Sequence, residues 1–321
     1  MLRFYMPSSS EVKEKRAKEL ISQFDAFINS SELRDYLKAL DINSNTPEGM
    51  LRDLDRYEER MTESGQIVEA QNAPLNKVLE EKRHLLYPYY GKLGLLNINK
   101  PKLNDYNHIV LLGGTANSNF DKTECAKLHL NNNVKDVSAL ACFRPISLKE
   151  REKAYTNYGQ MEFETEVGSF VSAFTHFFDI KEEQKQAKEW FERNLNKCSS
   201  MRVFYNERKT VFRVFASPSL SLDARASTYD TCEDYVKRLS NHNDCKILVI
   251  TNNQYCNYQF IPFARAILKC DKEGIDMDII GCTDDNDITS ADDYNTGMYC
   301  GDIKNMIREI IIFKEELGTK V

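Results

Sequence analysis

Short apolar runs alternate with amphipathic segments along the chain from residue 108 onward. The apolar runs are rich in Val, Ile and Phe and indicate buried strands, namely HIVLLG, VSALACF, MRVFYN or VFRVFA, KILVIT and MDIIGC. Segments with the period of an amphipathic helix lie between them, at residues 123–130, 165–178, 181–195, 231–239 and 260–272. This alternation predicts an α/β, Rossmann-like fold in which a mainly parallel sheet is covered by helices on both faces.

Only helical patterns occur before residue 100. In the first of several amphipathic segments, Leu20 and Phe24 share a helical face after serine residues that can cap the helix. A later segment, TPEGMLRDLDRYEERM, opens with a threonine cap and with proline at the first helical position. We therefore expect a helical N-terminal region over residues 1–104 and a Rossmann-like ligand-binding domain over residues 105–321.

Composition narrows the class of partner. The chain is 29% charged with a net charge of −6, so it has no basic excess to follow a nucleic-acid backbone. No run approaches the roughly 20 apolar residues of a membrane span, and the start MLRFYMPSSS lacks the apolar core of a signal peptide. The nine cysteines form no CxxC pair. We expect a cytoplasmic protein with reduced thiols that binds a small molecule and neither nucleic acid nor membrane. Nothing in the sequence indicates an oligomeric state.

A glycine pair follows the first predicted strand. Gly113 and Gly114 lead into Thr115 and Asn117, at the start of a helix whose free N–H groups favour an anion. Glycine here either serves only the conformation of a tight turn or lets the backbone approach a ligand closely. No third glycine completes a GxGxxG pattern and no GK[ST] follows, which disfavours a classical dinucleotide or nucleoside-triphosphate site.

Polar residues also follow or open three other predicted elements, where ligands of open α/β sheets bind. They are Glu166, Asp230, Thr231, Glu233, Thr251 and Asn252. Each has an ordinary structural explanation beside the functional one. A glutamate at a helix start favours the dipole, and asparagine is typical of turns. The segment STYDTCED can form a capping box with Asp230 or Thr228 as the cap and Glu233 reaching back.

The order of these pieces resembles the bacterial YdcF, SanA and ElyC family, a Rossmann-type domain long catalogued as being of unknown function. That family has a glycine pair after its first strand and a basic residue in the following helix, to which Gly113, Gly114 and Lys122 are similar. Its next motif is a glutamate that begins a helix written E-A-x-x-M-x-x-x-L, and Glu166 opens the similar EVGSFVSAF. The resemblance covers about residues 105–285 and implies a ligand site at the strand ends.

Two further motifs of that family have partial counterparts. S-x-N-T-x-E-N is similar to TYDTCED, and V-T-S followed by Y-H-x-x-R is similar to ITNNQYCNYQF through Thr251 and Tyr255. Cys256 and Gln259 stand where the family has histidine and arginine, which removes a proton-transfer group and a cation from the predicted pocket. Arg144, in ACFRP after the second strand, is a candidate replacement charge.

Two functions fit these features. In the first, the protein is an enzyme, a transferase or hydrolase, and residues 113–117 cradle the anion of a nucleotide-like or phosphate-bearing substrate. Lys122 or Arg144 then neutralises the anion, and Glu166 or Glu233 acts as general base or ribose ligand. Nucleotides and S-adenosylmethionine are the candidate cofactors. In the second, the protein is a non-catalytic ligand sensor or interaction protein, which the missing histidine and arginine favour.

Metal and triad chemistry have little local support. The segment CTDDNDITSADDYNTG, with Asp284 as its first acidic residue, follows the last predicted strand but fails the EF-hand spacing and lacks the central glycine. We therefore predict a solvated loop and no metal site. The sequence also contains no GxSxG elbow and no HExxH motif.

Overall fold

A seven-stranded sheet forms the centre of the computed structural model. The strands are β1 (His108–Leu112), β2 (Asp136–Ala141), β3 (Glu183–Trp190), β4 (Ser199–Tyr205), β5 (Val211–Ala216), β6 (Cys245–Thr251) and β7 (Ile275–Gly281). The structure describes residues 2–57, 76–96, 100–180, 183–190, 192, 194–207, 209–221, 224–239, 244–272, 274–282 and 296–318.

The sheet has the order β3-β4-β5-β2-β1-β6-β7. The pairings β1 with β2, β1 with β6, β2 with β5 and β6 with β7 are parallel, whereas β4 runs antiparallel to both β3 and β5. The predicted α/β, Rossmann-like class is confirmed, with its mainly parallel sheet, helices on both faces and helical N-terminal region. The two alternatives MRVFYN and VFRVFA are both strands, and they form the antiparallel pair β4–β5.

Eleven helices surround the sheet in the part of the chain that the structure describes. The N-terminal ones are α1 (Lys13–Ile28), α2 (Ser31–Ala39), α3 (Pro47–Leu54), α4 (Lys77–Glu81) and α5 (Arg83–Lys92). The others are α6 (Ala116–His129), α7 (Leu148–Tyr158), α8 (Glu166–Phe177), α9 (Thr228–Arg238), α10 (Cys256–Lys269) and α11 (Thr296–Leu317).

The two faces of the sheet bury different apolar clusters. Residues such as Ile109 and Leu111 of β1 pack with α6 and α8, including Phe170. The alternate residues Val110 and Leu112 face α9, α10 and α11, as the two-residue period of a strand requires. Because α6 and α9 lie on opposite faces, the residues that begin them approach the strand ends from opposite sides.

The N-terminal helices share the second of these cores, and their described residues form no separate one. One continuous cluster of buried apolar residues runs from α1 through α11 and α10 to the sheet. The ring of Phe24 in α1 meets that of Phe313 in α11 edge to face, with centroids 5.0 Å apart. Asn257 of α10 donates hydrogen bonds to the carbonyls of Leu2 and Leu93. The described residues of the N-terminal region are therefore packed onto the α/β part of the chain along a shared interior.

The helix predicted at residues 181–195 is wrong, because residues 183–190 form β3. The sequence EQKQAKEW has the composition of a helix surface, but intrinsic propensity is a weak preference that tertiary pairing overrides. Here the outer edge of β4 pairs with this segment, which becomes a charged edge strand.

Two helices were not predicted. In α7 only Ala154 is buried, so the apolar period is nearly absent, whereas α11 has the strong pattern IKNMIREIIIFKEEL.

No helix within the described ranges combines the length and the apolar composition that crossing a bilayer requires. All nine cysteines are free thiols.

Candidate functional site

The strand order places a crevice at the carboxyl ends of β1 and β6. From β1 the chain proceeds to β2 on one side, and it later returns to β6 on the other side, which defines the topological switch point of the sheet. Gly113 and Gly114 follow β1, and Asn252 follows β6. The two loops touch, because the Ser118 hydroxyl donates to Asn252 Oδ1 at 3.2 Å. The predicted glycine turn thus lies at the position where open α/β sheets bind ligands.

Helix α6 begins in this crevice with unused hydrogen-bond donors. Thr115 is the N-cap, and its side chain accepts from the backbone N–H of Ser118. In the described part of the chain, no acceptor faces the backbone N–H groups of Ala116 and Asn117. These groups, together with the positive end of the helix dipole, favour an anion in front of the turn.

Lys122 reaches back along α6 and lies beneath the turn. Its side chain is buried, with 1% exposure, and its ammonium donates to the carbonyl oxygen of Leu112 at 2.5 Å. Among the described residues, this is its only hydrogen bond, and no carboxylate lies within ion-pair distance of the ammonium. The ring of Phe170 lies 5.8 Å away, at a cation–π distance. Burial lowers the pKa of Lys122 to about 8, although nearby Glu166 and Asp121 act in the opposite direction.

Gly114 is required by space and not by backbone conformation. Neither glycine of the turn has a positive φ, since the described glycines that do are Gly94 and Gly159. A β-carbon on Gly114 would lie 2.7 Å from Ser118 Oγ and 2.8 Å from Lys122 Nζ. Glycine therefore lets the lysine ammonium approach the backbone closely.

Asn119 completes the floor of the crevice. It is fully buried, its amide donates to Ser169 Oγ of α8 at 2.9 Å, and the Ser169 hydroxyl donates to the carbonyl of Glu166. Its Oδ1 would lie 3.7 Å from a β-carbon of Gly114 and has no hydrogen-bond partner among the described residues. A buried polar atom without a partner is costly, and such atoms are typical of sites that a ligand or water completes.

Glu166 converges on the same turn from α8. Thr165 caps this helix, and Glu166 is its first residue. The Glu166 Oε2 atom accepts two hydrogen bonds, from the backbone N–H of Cys142 at 3.1 Å and from its thiol at 3.0 Å. The carboxylate packs against Gly113, where a β-carbon would collide with it. The structure therefore brings together Gly113, Gly114, Lys122 and Glu166 at one strand end.

Arg144 lies beside the turn but is paired with a carboxylate. Its guanidinium contacts both oxygens of Glu150, at 3.0 and 3.2 Å, and donates to the carbonyl of Gly114 at 2.8 Å. Both side chains of this ion pair are nearly buried. Arg144 was expected to attract a ligand anion by its charge, but Glu150 already neutralises that charge.

The α9 residues lie on the other face of the sheet. A capping box is present, but its residues differ from those expected: Ser227 is the N-cap and Asp230 reaches back to it, in place of Asp230 or Thr228 as the cap with Glu233 reaching back. The hydroxyl of Thr231 donates to a backbone carbonyl of its own helix, and Glu233 binds Tyr229 at 2.7 Å and Lys237 at 2.8 Å. Within the described contacts, nothing joins Glu233 to the cluster around Gly114.

The remaining predicted site residues lie in different elements and contact other parts of the protein. The side chain of Asn117 accepts from Asn157 of α7 and donates to Asp121 of its own helix. Thr251 and Gln259 hydrogen-bond to each other and are both buried, so Gln259 supports the end of β6. Tyr255 lies in the short 3-10 turn Asn253–Tyr255 that precedes α10.

Several site residues were missed in the sequence, chiefly Ser118, Asn119, Cys142 and Ser169. A signal exists for the first two, because residues three and four apart share a helical face. Ser118 and Asn119 precede Lys122 by those spacings and lie on the same side of α6. Cys142 has no such signal, since its role depends on the adjacency of β2 and β1.

Two cavities lined by described residues lie elsewhere. A polar surface groove of about 590 Å³ runs along α8, beside His176 and Arg202. A small cavity of about 60 Å³ lies between the N-terminal segment and β7. The described residues include no group of His, Cys, Asp and Glu that could hold a metal ion. The aspartates from Asp284 to Asp293 lie outside the described residues.

No family model, curated protein or solved structure matches this chain. The resemblance to the YdcF, SanA and ElyC family therefore stays a prediction.

Proposed function

We propose that this protein binds a small phosphate-bearing or nucleotide-like molecule in the crevice between the ends of β1 and β6. The observation that carries the proposal is the buried ammonium of Lys122, which lies under Gly114 at the start of α6 with one hydrogen bond and no carboxylate partner among the described residues. An oxyanion in front of the turn would accept hydrogen bonds from the free N–H groups of α6 and would be attracted by the charge of the Lys122 ammonium.

The lysine destabilises the fold without a ligand. A drop in the pKa of Lys122 from 10.5 to about 8 corresponds to a loss of about 3 kcal/mol for the charged form. Replacing the lysine by an apolar residue of similar length would remove this penalty. A bound anion offsets it instead, which is a physical reason to keep a cation at this position.

The crevice also contains acceptors, and these narrow the ligand. The Oδ1 atom of Asn119 has no donor among the described residues, and the carboxylate of Glu166 can accept hydrogen bonds beyond the two from Cys142; a bare oxyanion supplies no donor to either. Sugar phosphates and nucleotides carry hydroxyl donors beside the phosphate and satisfy both requirements. In an enzyme, Glu166 would be the general base toward such a hydroxyl.

A non-catalytic sensor is the second candidate. The positions where the resembling family has histidine and arginine hold Cys256 and Gln259, both buried and engaged with the end of β6 and its loop. This arrangement leaves binding intact and removes two groups that proton transfer could use. The nine free thiols support a cytoplasmic location for either function.

A thermal-shift series tests the proposal. The wild type, Lys122→Met and Lys304→Met are each heated with inorganic phosphate, AMP, a sugar phosphate or S-adenosylmethionine. Lys304 is the matched control, because it is a buried lysine that pairs with Asp55 away from the crevice. A ligand at 100 times its dissociation constant should stabilise the wild type and Lys304→Met by about 2.7 kcal/mol. Equal stabilisation of Lys122→Met, or none in any protein, would overturn the proposal.

Turnover separates the two candidates. The best ligand is incubated with the wild type and with Glu166→Gln, and its products are followed by mass spectrometry. Loss of product formation in Glu166→Gln with binding retained supports an enzyme. Binding without any product in the wild type supports the sensor.

A further inference from the structure

Among the described residues, the peptide between Gly114 and Thr115 is held by hydrogen bonds to its carbonyl oxygen and by none to its N–H. Its carbonyl oxygen, on Gly114, accepts from the Arg144 guanidinium at 2.8 Å and from the side-chain amide of Asn119 at 3.4 Å. The peptide is trans and planar, so its N–H points away from its C=O. The N–H of Thr115 is therefore directed away from Arg144.

Arg144 is itself fixed by the start of α7. Glu150 contacts two nitrogens of the guanidinium and also accepts from the backbone N–H and hydroxyl of Ser147, the N-cap of α7. Burial opposes ionisation of Glu150, but the hydrogen bonds from Arg144 and Ser147 outweigh it and hold the pKa of Glu150 below its usual value. The guanidinium is thus a fixed donor that is largely neutralised by its partner.

We infer that Arg144 is a positioning residue for the anion site. It acts through the carbonyl of Gly114 and orients the N–H groups at the start of α6, while Lys122 supplies the charge. Glu150 holds the guanidinium in place, so α7 contributes to ligand affinity without contacting the ligand. This inference rests on the proposed function.

The inference distinguishes two ways in which an arginine can support an anion site. An arginine that attracts the anion by charge is replaced well by lysine, whereas one that bridges a carboxylate and a carbonyl is not, since lysine lacks the planar fork. Arg144→Lys keeps the charge and removes the bridge. Arg265→Lys is the control, because Arg265 is a buried arginine paired with Glu309 between α10 and α11.

The test uses full-length protein, sulfate and inorganic phosphate as probes, and two readouts. The amide resonance of Thr115 is followed by NMR without ligand, and anion affinity is measured by calorimetry. In Arg144→Lys, the Thr115 resonance should shift and affinity should fall by about tenfold, the effect of one lost oriented donor. Glu150→Gln should shift the same resonance, and Arg265→Lys should change neither readout.

The outcomes separate the inference from the proposed function. If Arg144→Lys leaves both the Thr115 resonance and the affinity unchanged while the wild type binds either anion, the positioning role is wrong and the anion site stands. If the affinity falls without a shift of Thr115, the fork of Arg144 supports the site by a route other than the Gly114–Thr115 peptide, and the inference is wrong. If the wild type binds neither anion, the proposed function is wrong, and the positioning role is wrong with it.

Discussion

The ammonium of Lys122 donates to the carbonyl oxygen of Leu112 at 2.5 Å, at the point where the central strand β1 ends. This contact places a buried cation beneath the glycine turn, without a carboxylate partner in the described part of the chain. A charge in such surroundings reduces stability, because burial removes its hydration and a single hydrogen bond to a carbonyl compensates little of the lost hydration free energy. The destabilising charge of Lys122 therefore lies directly at the proposed anion site.

The first prediction concerns the stability of Lys122→Met as a function of pH. The pKa of Lys122 lies lower in the folded chain, about 8, than in the unfolded chain, 10.5. Between these values the unfolded chain binds more protons, so stability from this group rises with pH. Relative to wild type, Lys122→Met should be more favourable at pH 7 than at pH 10.5 by about 3 kcal/mol. Urea unfolding at both pH values measures this difference, and a pH-independent difference would contradict it.

The second prediction concerns Gly114→Ala. The new β-carbon meets Ser118 Oγ and Lys122 Nζ, both at the ends of side chains that can move, so the loss in unfolding free energy should be about 1–3 kcal/mol. The free energy of sulfate binding should weaken by more than the free energy of unfolding falls, because the new β-carbon displaces the Lys122 ammonium from the turn. Gly91→Ala in α5 is the control, since its β-carbon meets only Leu96, at 3.9 Å. A Gly114→Ala protein with wild-type affinity for sulfate would place the anion elsewhere.

The third prediction concerns Glu166→Gln. The substitution keeps the shape of the side chain and removes the negative charge that faces the turn. Sulfate has no donor, so its affinity should be retained within about threefold, in contrast to Lys122→Met. Glu164→Gln, at an exposed position two residues earlier, is the control. Calorimetry with sulfate makes the comparison. Loss of sulfate binding in Glu166→Gln alone would mean that Glu166 organises the turn and is not an acceptor for a ligand donor.

The fourth prediction tests the fold at the opposite end of β1. Burial lowers the pKa of His108 to about 4, and the cations of Arg213 and Lys135 add to this effect. The folded pKa is thus below the unfolded value of 6.5, and the contribution of neutral His108 is lost as the pH falls from 6.5 toward 4. The free energy of unfolding of wild type should drop over this window relative to His108→Gln by up to about 3 kcal/mol. Parallel pH profiles for the two proteins would show that His108 is accessible to water.

The sequence predicted the parallel part of the sheet because those strands are covered on both faces. Continuous apolar runs such as HIVLLG and KILVIT are typical of strands whose two faces are both buried in a parallel sheet. The strand β3 could not be predicted in this way, because EQKQAKEW lacks an apolar run and pairs only at the edge of the sheet. For α7 the reason is similar, since a single alanine, Ala154, faces the interior.

The site was predictable where it depends on strand ends and not where it depends on strand order. Gly113, Gly114 and Glu166 come together because each follows or opens an element at the carboxyl edge of the sheet. The sequence does not show that the strand order reverses between β5 and β6, so that β6 lies on the far side of β1 from β2. That reversal puts α9 on the opposite face from α6, as right-handed crossovers require, and Glu233 of α9 bonds to Tyr229 of its own helix.

The most direct measurement of the central claim is the affinity for sulfate at pH 7 and at about pH 9.5, in wild type and in Lys122→Met. Sulfate does not change its charge over this range, so a pH effect reports on the protein. Wild type should bind at pH 7 and lose up to about 30-fold in affinity at about pH 9.5, because with a pKa of about 8 only about one thirtieth of Lys122 remains protonated there. Lys122→Met should bind at least about tenfold more weakly at pH 7 and show no such pH dependence. Equal affinities in the two proteins at both pH values would contradict an anion site at Lys122.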